Sequence, residues 1–306
     1  MQIDEPGTVD DLVADAATAG YQVTIRLIRD WASAGLLDRP NKRPAGKGHG
    51  SAPALYSASQ RMLLLTLLTK RPDNGIRSLA RIPVGIWMYW GDEHVPARQA
   101  RRALKTWVGD PRVSMERARE TVREVVRQLD NPAATRSDRR ELVDVLADIA
   151  YRAKPDYTKL ESAVRAVFEP GSQQIRRAVG HPSAPMMADA MVDLVKARIQ
   201  AVKLLMDDRL TDDRFYWARH AHLVSYAEYA MRQPLLAASM PGSNRDMYEP
   251  VTAEAALNDC CGHLLTTIGL QHMYPERAAH LHAIAGSPDV RSISPTARQA
   301  IMLRLK

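Results

Sequence analysis

Residues 28–37, Ile-Arg-Asp-Trp-Ala-Ser-Ala-Gly-Leu-Leu, read as the end of an amphipathic helix, a sharp stop and an apolar anchor. Leu27, Ile28, Trp31 and Ala34 recur at helical spacing, which predicts a helix over 22–34 with these side chains buried. The other face is left to Gln22, Arg26, Arg29, Asp30 and Ser33. Gly35 ends the helix, and Leu36-Leu37 returns the chain to the core. Trp31 is read as a core residue, not as a platform exposed for stacking.

The reading extends in both directions. Upstream, Thr8-Val9-Asp10-Asp11 offers a cap and an acidic first turn, and Val9, Leu12, Val13 and Ala16 share one face until Gly20 stops the helix. Downstream, residues 38–54 abandon helical character through Pro40, Pro44 and Pro53 and through Gly46, Gly48 and Gly50. Lys42, Arg43, Lys47 and His49 project from that loop. Tyr56-Ser57 restores order, Ser57 or Ser59 can cap the apolar run to Lys70, and a short helix is expected around Ser78–Ile82.

This order, helix, turn, helix, Gly-Leu-Leu, basic loop, Tyr-Ser, helix, short helix, resembles the MerR family of winged helix-turn-helix regulators. Ile28 to Leu37 is similar to that family's Leu-Arg-x-aromatic-x-x-x-Gly-Leu-Leu. Tyr56-Ser57 and Gly75-Ile76-Arg77-Ser78-Leu79-Ala80-Arg81-Ile82 continue the likeness, which covers residues 8–90. It implies duplex DNA as partner, with Gln22, Thr24, Arg26, Arg29 and Ser33 in the major groove. Lys42, Arg43, Lys47 and His49 would lie on the backbone or in the minor groove. Two features depart from the pattern. The turn from Gly20 to Trp31 is longer, and Ala54 stands where the family usually has Arg, leaving Lys47 or His49 to supply that backbone contact.

Charge is distributed accordingly. Residues 20–110 hold 15 Lys/Arg against 6 Asp/Glu, whereas residues 111–306 hold 27 against 24. The surplus therefore sits where backbone neutralisation would use it. Aromatic residues make up only 6% of the 306 residues, so Leu, Ala, Met and Val must fill the core, which suits helix packing. The fold class expected is mainly α, with an N-terminal winged helix-turn-helix carrying a small β wing (1–90) and an all-helical domain (91–306). The Trp-rich run Val84–Trp90 is expected to join the two. Helices are expected near 97–108, 112–129, 137–152, 157–168, 185–208, 212–231, 252–268 and 295–305.

The helical remainder suggests dimerisation and effector contact. Met115, Ala118, Val122, Val125 and Leu129 recur at 3-4-3-4 spacing, a two-heptad seam that serves a homodimer or intrachain packing equally well. Phe215-Tyr216-Trp217, Tyr226 and Tyr229 could line a pocket for a small-molecule or protein effector, although core packing is the simpler reading. Cys260-Cys261-x-His263, His220-x-His222 and His280-x-His282 have metal-ligand chemistry. Helical residues i and i+2 point about 200° apart, however, so neither His pair chelates locally. Buried Cys and surface His are expected, with no metal and no cofactor.

The chain lacks a phosphate-binding glycine loop, a Gly-x-Ser-x-Gly elbow and a His-Glu-x-x-His pair. Its first residues have no signal-peptide core, and no apolar run spans a bilayer. A non-enzymatic, cytoplasmic, nucleoid-associated protein is the expectation. Two other roles share the same residues: an accessory DNA-binding protein in recombination or packaging, and a helical protein-interaction adaptor that does not bind DNA.

Overall fold

The computed structural model describes residues 3–44, 51–109, 115–128, 134–152, 155–169, 188–239 and 253–279. These are mainly helical. In chain order the elements are α1 (Val9–Thr18), α2 (Ile25–Ser33), β1 (Asn41–Pro44), β2 (Ser51–Leu55), α3 (Ala58–Lys70), α4 (Ile76–Leu79), α5 (Arg81–Trp90) and α6 (Ala97–Val108). They continue as α7 (Met115–Gln128), α8 (Arg136–Arg152), α9 (Tyr157–Phe168), α10 (Ala188–Met206), α11 (Asp212–Ser239) and α12 (Ala253–Met273).

Local chemistry sets the N-terminal elements. Thr8 caps α1 in a reciprocal box: its hydroxyl oxygen accepts from the Asp11 N–H, and the Asp11 carboxylate accepts from the Thr8 N–H at 2.6 Å. Thr24 caps α2 by accepting from the Leu27 N–H at 3.2 Å. The helix therefore starts at Ile25, later than periodicity alone suggests, and Gln22 and Thr24 precede it. Ser57, not Ser59, caps α3, with its Oγ accepting from the Gln60 N–H. β1 and β2 pair antiparallel with a register shift between Asn41 and Arg43. Gly7 and Tyr56 exchange two backbone bonds, of 2.9 and 2.8 Å, which stitch the chain's start to the foot of β2.

Arg61 fastens α3 to α1. Its Nε and Nη2 donate to the two Asp15 carboxylate oxygens at 2.7 and 2.8 Å, and both side chains are largely buried. Removing one partner leaves the other charge buried and unpaired, so Arg61→Ala is expected to cost about 3 kcal/mol in chemical denaturation. A loss below about 1 kcal/mol would mean that water replaces the guanidinium.

Two departures from the sequence reading concern the segment after α3. The short helix lies at Ile76–Leu79, and the Trp-rich run is itself helical, as α5. Further on, α11 extends to Ser239 through Pro234, and α12 extends to Met273. The helix expected at 295–305 lies outside the described residues.

Two apolar clusters organise the described residues. The first joins Leu12, Ile28, Trp31, Leu36 and Leu37 to Leu64 and Leu67, and continues through Trp87, Ala100 and Leu104 to Leu204, Phe215, Leu264 and Ile268. The core thus runs on past residue 90 without a break. Trp87, fully buried, stacks on Phe215 with ring centroids 4.1 Å apart and planes 10° from parallel. The Arg219 guanidinium covers the same indole, and its Nε donates to the Trp87 and Met88 carbonyls at the end of α5. Gly91 follows at φ +90°, a left-handed conformation that lets the chain leave the helix there.

The second cluster packs Val126, Leu142, Val145, Leu160, Val164, Phe168, Met191 and Val192. Helix α10 belongs to both, giving Met191 and Val192 to the second and Ala201, Leu204 and Leu205 to the first. Two heptad-like positions of α7 are engaged within the chain: Ala118 is 4% exposed, and Val122 packs on the second cluster, whereas Met115 is half-buried. The Val125 side chain and Leu129 lie outside the described residues.

Candidate nucleic-acid interface

Burial of Ile28, Trp31 and Ala32 fixes the rotation of α2 about its axis. Arg26, Arg29, Asp30 and Ser33 consequently face outward, with Gln22 and Thr24 exposed just ahead of the helix. Arg26 is 92% exposed, and its guanidinium stands 3.9 Å from Asp30, a contact too loose and too wet to hold it. Not every polar group on this face is equally available. The Ser33 hydroxyl donates to the Arg29 carbonyl at 3.0 Å, and the Thr24 oxygen is engaged by the cap. Arg26, Arg29 and Gln22 are the long side chains that project from this face.

The hairpin rises directly after this helix. Lys42 and Arg43 are on β1, whereas Lys47 and His49 lie outside the described residues. Arg39 and Asn41, exposed at the foot of β1, were not singled out by the sequence reading. They border a depression of about 180 Å³ that also reaches Tyr56, Ser57, Ser59 and Arg98. Burial raises the pKa of the Tyr56 hydroxyl; the nearby Arg29 charge works in the opposite direction, and Asp38 adds to the rise. Arg29 is thus electrostatically linked to the base of the hairpin as well as to the face of α2.

Beneath this surface lies a buried polar lock that sequence periodicity missed. Asp38, 4% exposed, accepts from Arg98 Nη2 at 2.6 Å and from Arg102 Nη2 at 2.8 Å, both on α6. Burial alone would raise the Asp38 pKa, but the two guanidiniums and the Arg39 N–H outweigh it and hold the carboxyl below its ordinary range. The Asp38 N–H donates to Gln60 Oε1 at 2.7 Å, and Gln60 Nε2 donates to Gln99 Oε1 at 2.7 Å. Gln99 Nε2 in turn donates to the Leu36 carbonyl at 3.1 Å, and Thr106 Oγ1 to the Ala34 carbonyl at 2.7 Å. The available signal was Gln60 just ahead of the apolar run Met62–Leu68, with a second Gln, Gln99, among the apolar positions of α6.

Gly35 lets this lock close. Its φ is +79°, and a Cβ there would fall 2.4 Å from the Ala103 backbone nitrogen of α6. The Gly-Leu-Leu-Asp junction therefore does more than stop a helix: it seats the end of α2 directly on α6.

Of the histidines weighed for metal chemistry, His263 is exposed, His220 and His222 are half-buried, and His280 and His282 lie outside the described residues. His222 on α11 stacks against His263 on α12, with centroids 5.6 Å apart, and its Nε2 lies 3.3 Å from the Tyr89 hydroxyl. Among the described residues no group of three or more His, Cys, Asp or Glu is placed to hold a metal ion. Cys260 and Cys261 are buried; the hydrogen bond shared with Cys260, and then burial, raise the Cys261 thiol pKa well above its ordinary value. Phe215 is fully buried whereas Tyr216 is 40% exposed, so the aromatic run splits between core and surface.

Burial, with His263 adding its charge, lowers the His222 pKa from 6.5 to about 3. The folded state therefore keeps this imidazole neutral where the unfolded chain protonates it. Stability from this group is complete above pH 6.5 and is lost as pH falls towards 3. The loss is expected at up to about 1.4 kcal/mol per pH unit in the unfolding free energy measured by denaturant titration, and His222→Gln should flatten it. An unchanged slope in that variant would assign the acid sensitivity to other groups.

Searches of protein families, of curated proteins and of solved structures find no match to this chain. Among the described residues no helix is long and apolar enough to cross a membrane.

Proposed function

We propose that the N-terminal elements form a winged helix-turn-helix that binds duplex DNA and that the protein acts as a transcriptional regulator. The observation that carries this reading is the outward face of α2: Arg26 and Arg29 project from a helix whose opposite face is buried, beside a hairpin bearing Lys42 and Arg43. A protruding helix with arginines at i and i+3 has the dimensions and donors for the major groove. A basic hairpin alongside suits a phosphate backbone. The helical remainder would provide dimerisation and effector contact. Ala118 and Val122 of the α7 seam are engaged within the chain, which favours another surface for the pairing of two copies.

Fluorescence anisotropy on duplexes selected from a random library tests the reading. Affinity should fall steeply with salt, as displaced counterions require. Absence of binding to any duplex at low salt would reject it and favour a protein-interaction adaptor. Mapping of bound genomic sites then separates roles: promoters fit a regulator, and attachment or packaging sites fit an accessory factor.

A further inference from the structure

We propose that Asp38 is a positioning residue for DNA readout, and that α6 is consequently part of the DNA-binding module without touching DNA. This rests on the DNA-binding reading above. Asp38 lies between the end of α2 and the start of β1, so one carboxylate governs the angle between the two elements that would enter or flank the groove. Its oxygens take Arg98 and Arg102 from α6, its N–H is held by Gln60 from α3, and Gln60 is tied through Gln99 to the Leu36 carbonyl. Three segments of chain thus converge on three polar side chains that water barely reaches, Asp38, Gln60 and Gln99 at 4%, 3% and 0% exposed, with the half-buried Arg102 at 24% beside them. A small rotation of α2 would break several of these bonds at once, because the network is shared. Sequence discrimination needs donors held within a fraction of an ångström, whereas backbone attraction tolerates looseness.

That difference gives the test a sign. Asp38→Asn in the full chain removes a negative charge close to the DNA face, so electrostatics alone predicts tighter binding to every duplex. Positioning predicts the opposite for a duplex selected by the wild-type protein: about tenfold weaker binding, with binding to a scrambled duplex equal to or slightly above wild type. Amide exchange at Leu36–Arg39 should quicken in the same variant. Equal or tighter binding of the folded variant to the selected duplex overturns the proposal. Should Asp38→Asn fail to fold, Arg98→Gln decides, since that side chain is 61% exposed and Arg102 remains. It should weaken the selected duplex while leaving the salt dependence unchanged. Unchanged affinity would overturn the proposal, as would a shallower salt slope, which would make Arg98 a phosphate contact instead. A wild-type protein that binds no duplex fails the earlier reading and is distinguishable from all of these outcomes.

Discussion

The double variant Arg26→Ala/Arg29→Ala is expected to stay folded and to lose duplex binding by about a hundredfold or more. Each arginine that reaches a base edge contributes about 1–3 kcal/mol, so removing two costs about 2–6 kcal/mol, a range whose middle exceeds a hundredfold. Folding should be spared. Arg26 is 92% exposed and meets only Asp30, at 3.9 Å, while the buried face of α2 is carried by Ile28, Trp31 and Ala32. Far-ultraviolet circular dichroism checks the fold, and anisotropy over a salt series checks the contacts. If both side chains sit on phosphates, the slope of log affinity against log salt should become shallower by about two. If they read bases, the slope should hold while preference for the selected duplex collapses. Full binding by a folded double variant would remove α2 from the interface and leave the hairpin to account for any affinity.

Gly35→Ala should be among the most damaging single substitutions in the N-terminal part. Two costs combine. A left-handed backbone at φ +79° disfavours any Cβ by about 1–2 kcal/mol. The added methyl would then stand 2.4 Å from the Ala103 nitrogen and 2.7 Å from the Arg102 carbonyl carbon, atoms of a helix backbone that cannot swing aside. A total loss of about 3 kcal/mol or more is expected in urea denaturation, together with weakened DNA binding as α6 is pushed from α2. Gly20→Ala is the matched control. Its φ is +85°, but nothing lies within 4 Å of the position, so only the backbone cost of about 1 kcal/mol should appear. Similar losses in the two variants would show that helix α6 yields, and that Gly35 serves the turn alone.

Much of the fold was legible because the signals were local. Thr8 and Ser57 announce helix starts, and the spacing of Leu27, Ile28 and Trp31 fixes which side of α2 is buried. That is why the outward placement of Arg26, Arg29 and Ser33 could be anticipated from the residues. Thr24 also shows the limit: a cap candidate within the periodic stretch shifts the helix start, and Gln22 then belongs to the turn. The Trp-rich run was not assigned a helix, since large aromatics carry weak helical preference and its period is masked by continuous apolar character. The lock around Asp38 was invisible for a different reason. Its members are separated by 22 to 64 residues, and a buried Gln pair has no sequence pattern until tertiary structure brings the two together. The pairing of His222 with His263 across two helices was hidden in the same way.

Helix α10 gives material to both apolar clusters along a single rod, with Met191 and Val192 at one end and Leu204 and Leu205 at the other. A helix propagates order along its length more readily than it tolerates a melted middle. Loss of either cluster therefore deprives the other of one of its walls. Heating is expected to reveal one sharp calorimetric transition for the described body, with equal calorimetric and van't Hoff enthalpies, in place of two staggered ones. For the same reason a fragment ending at residue 90 would lose Ala100, Leu104 and Phe215 from around its own centre. The N-terminal helices of this protein are not a detachable part: the cluster they build is completed by helices far along the chain, and α10 carries it over into the second cluster.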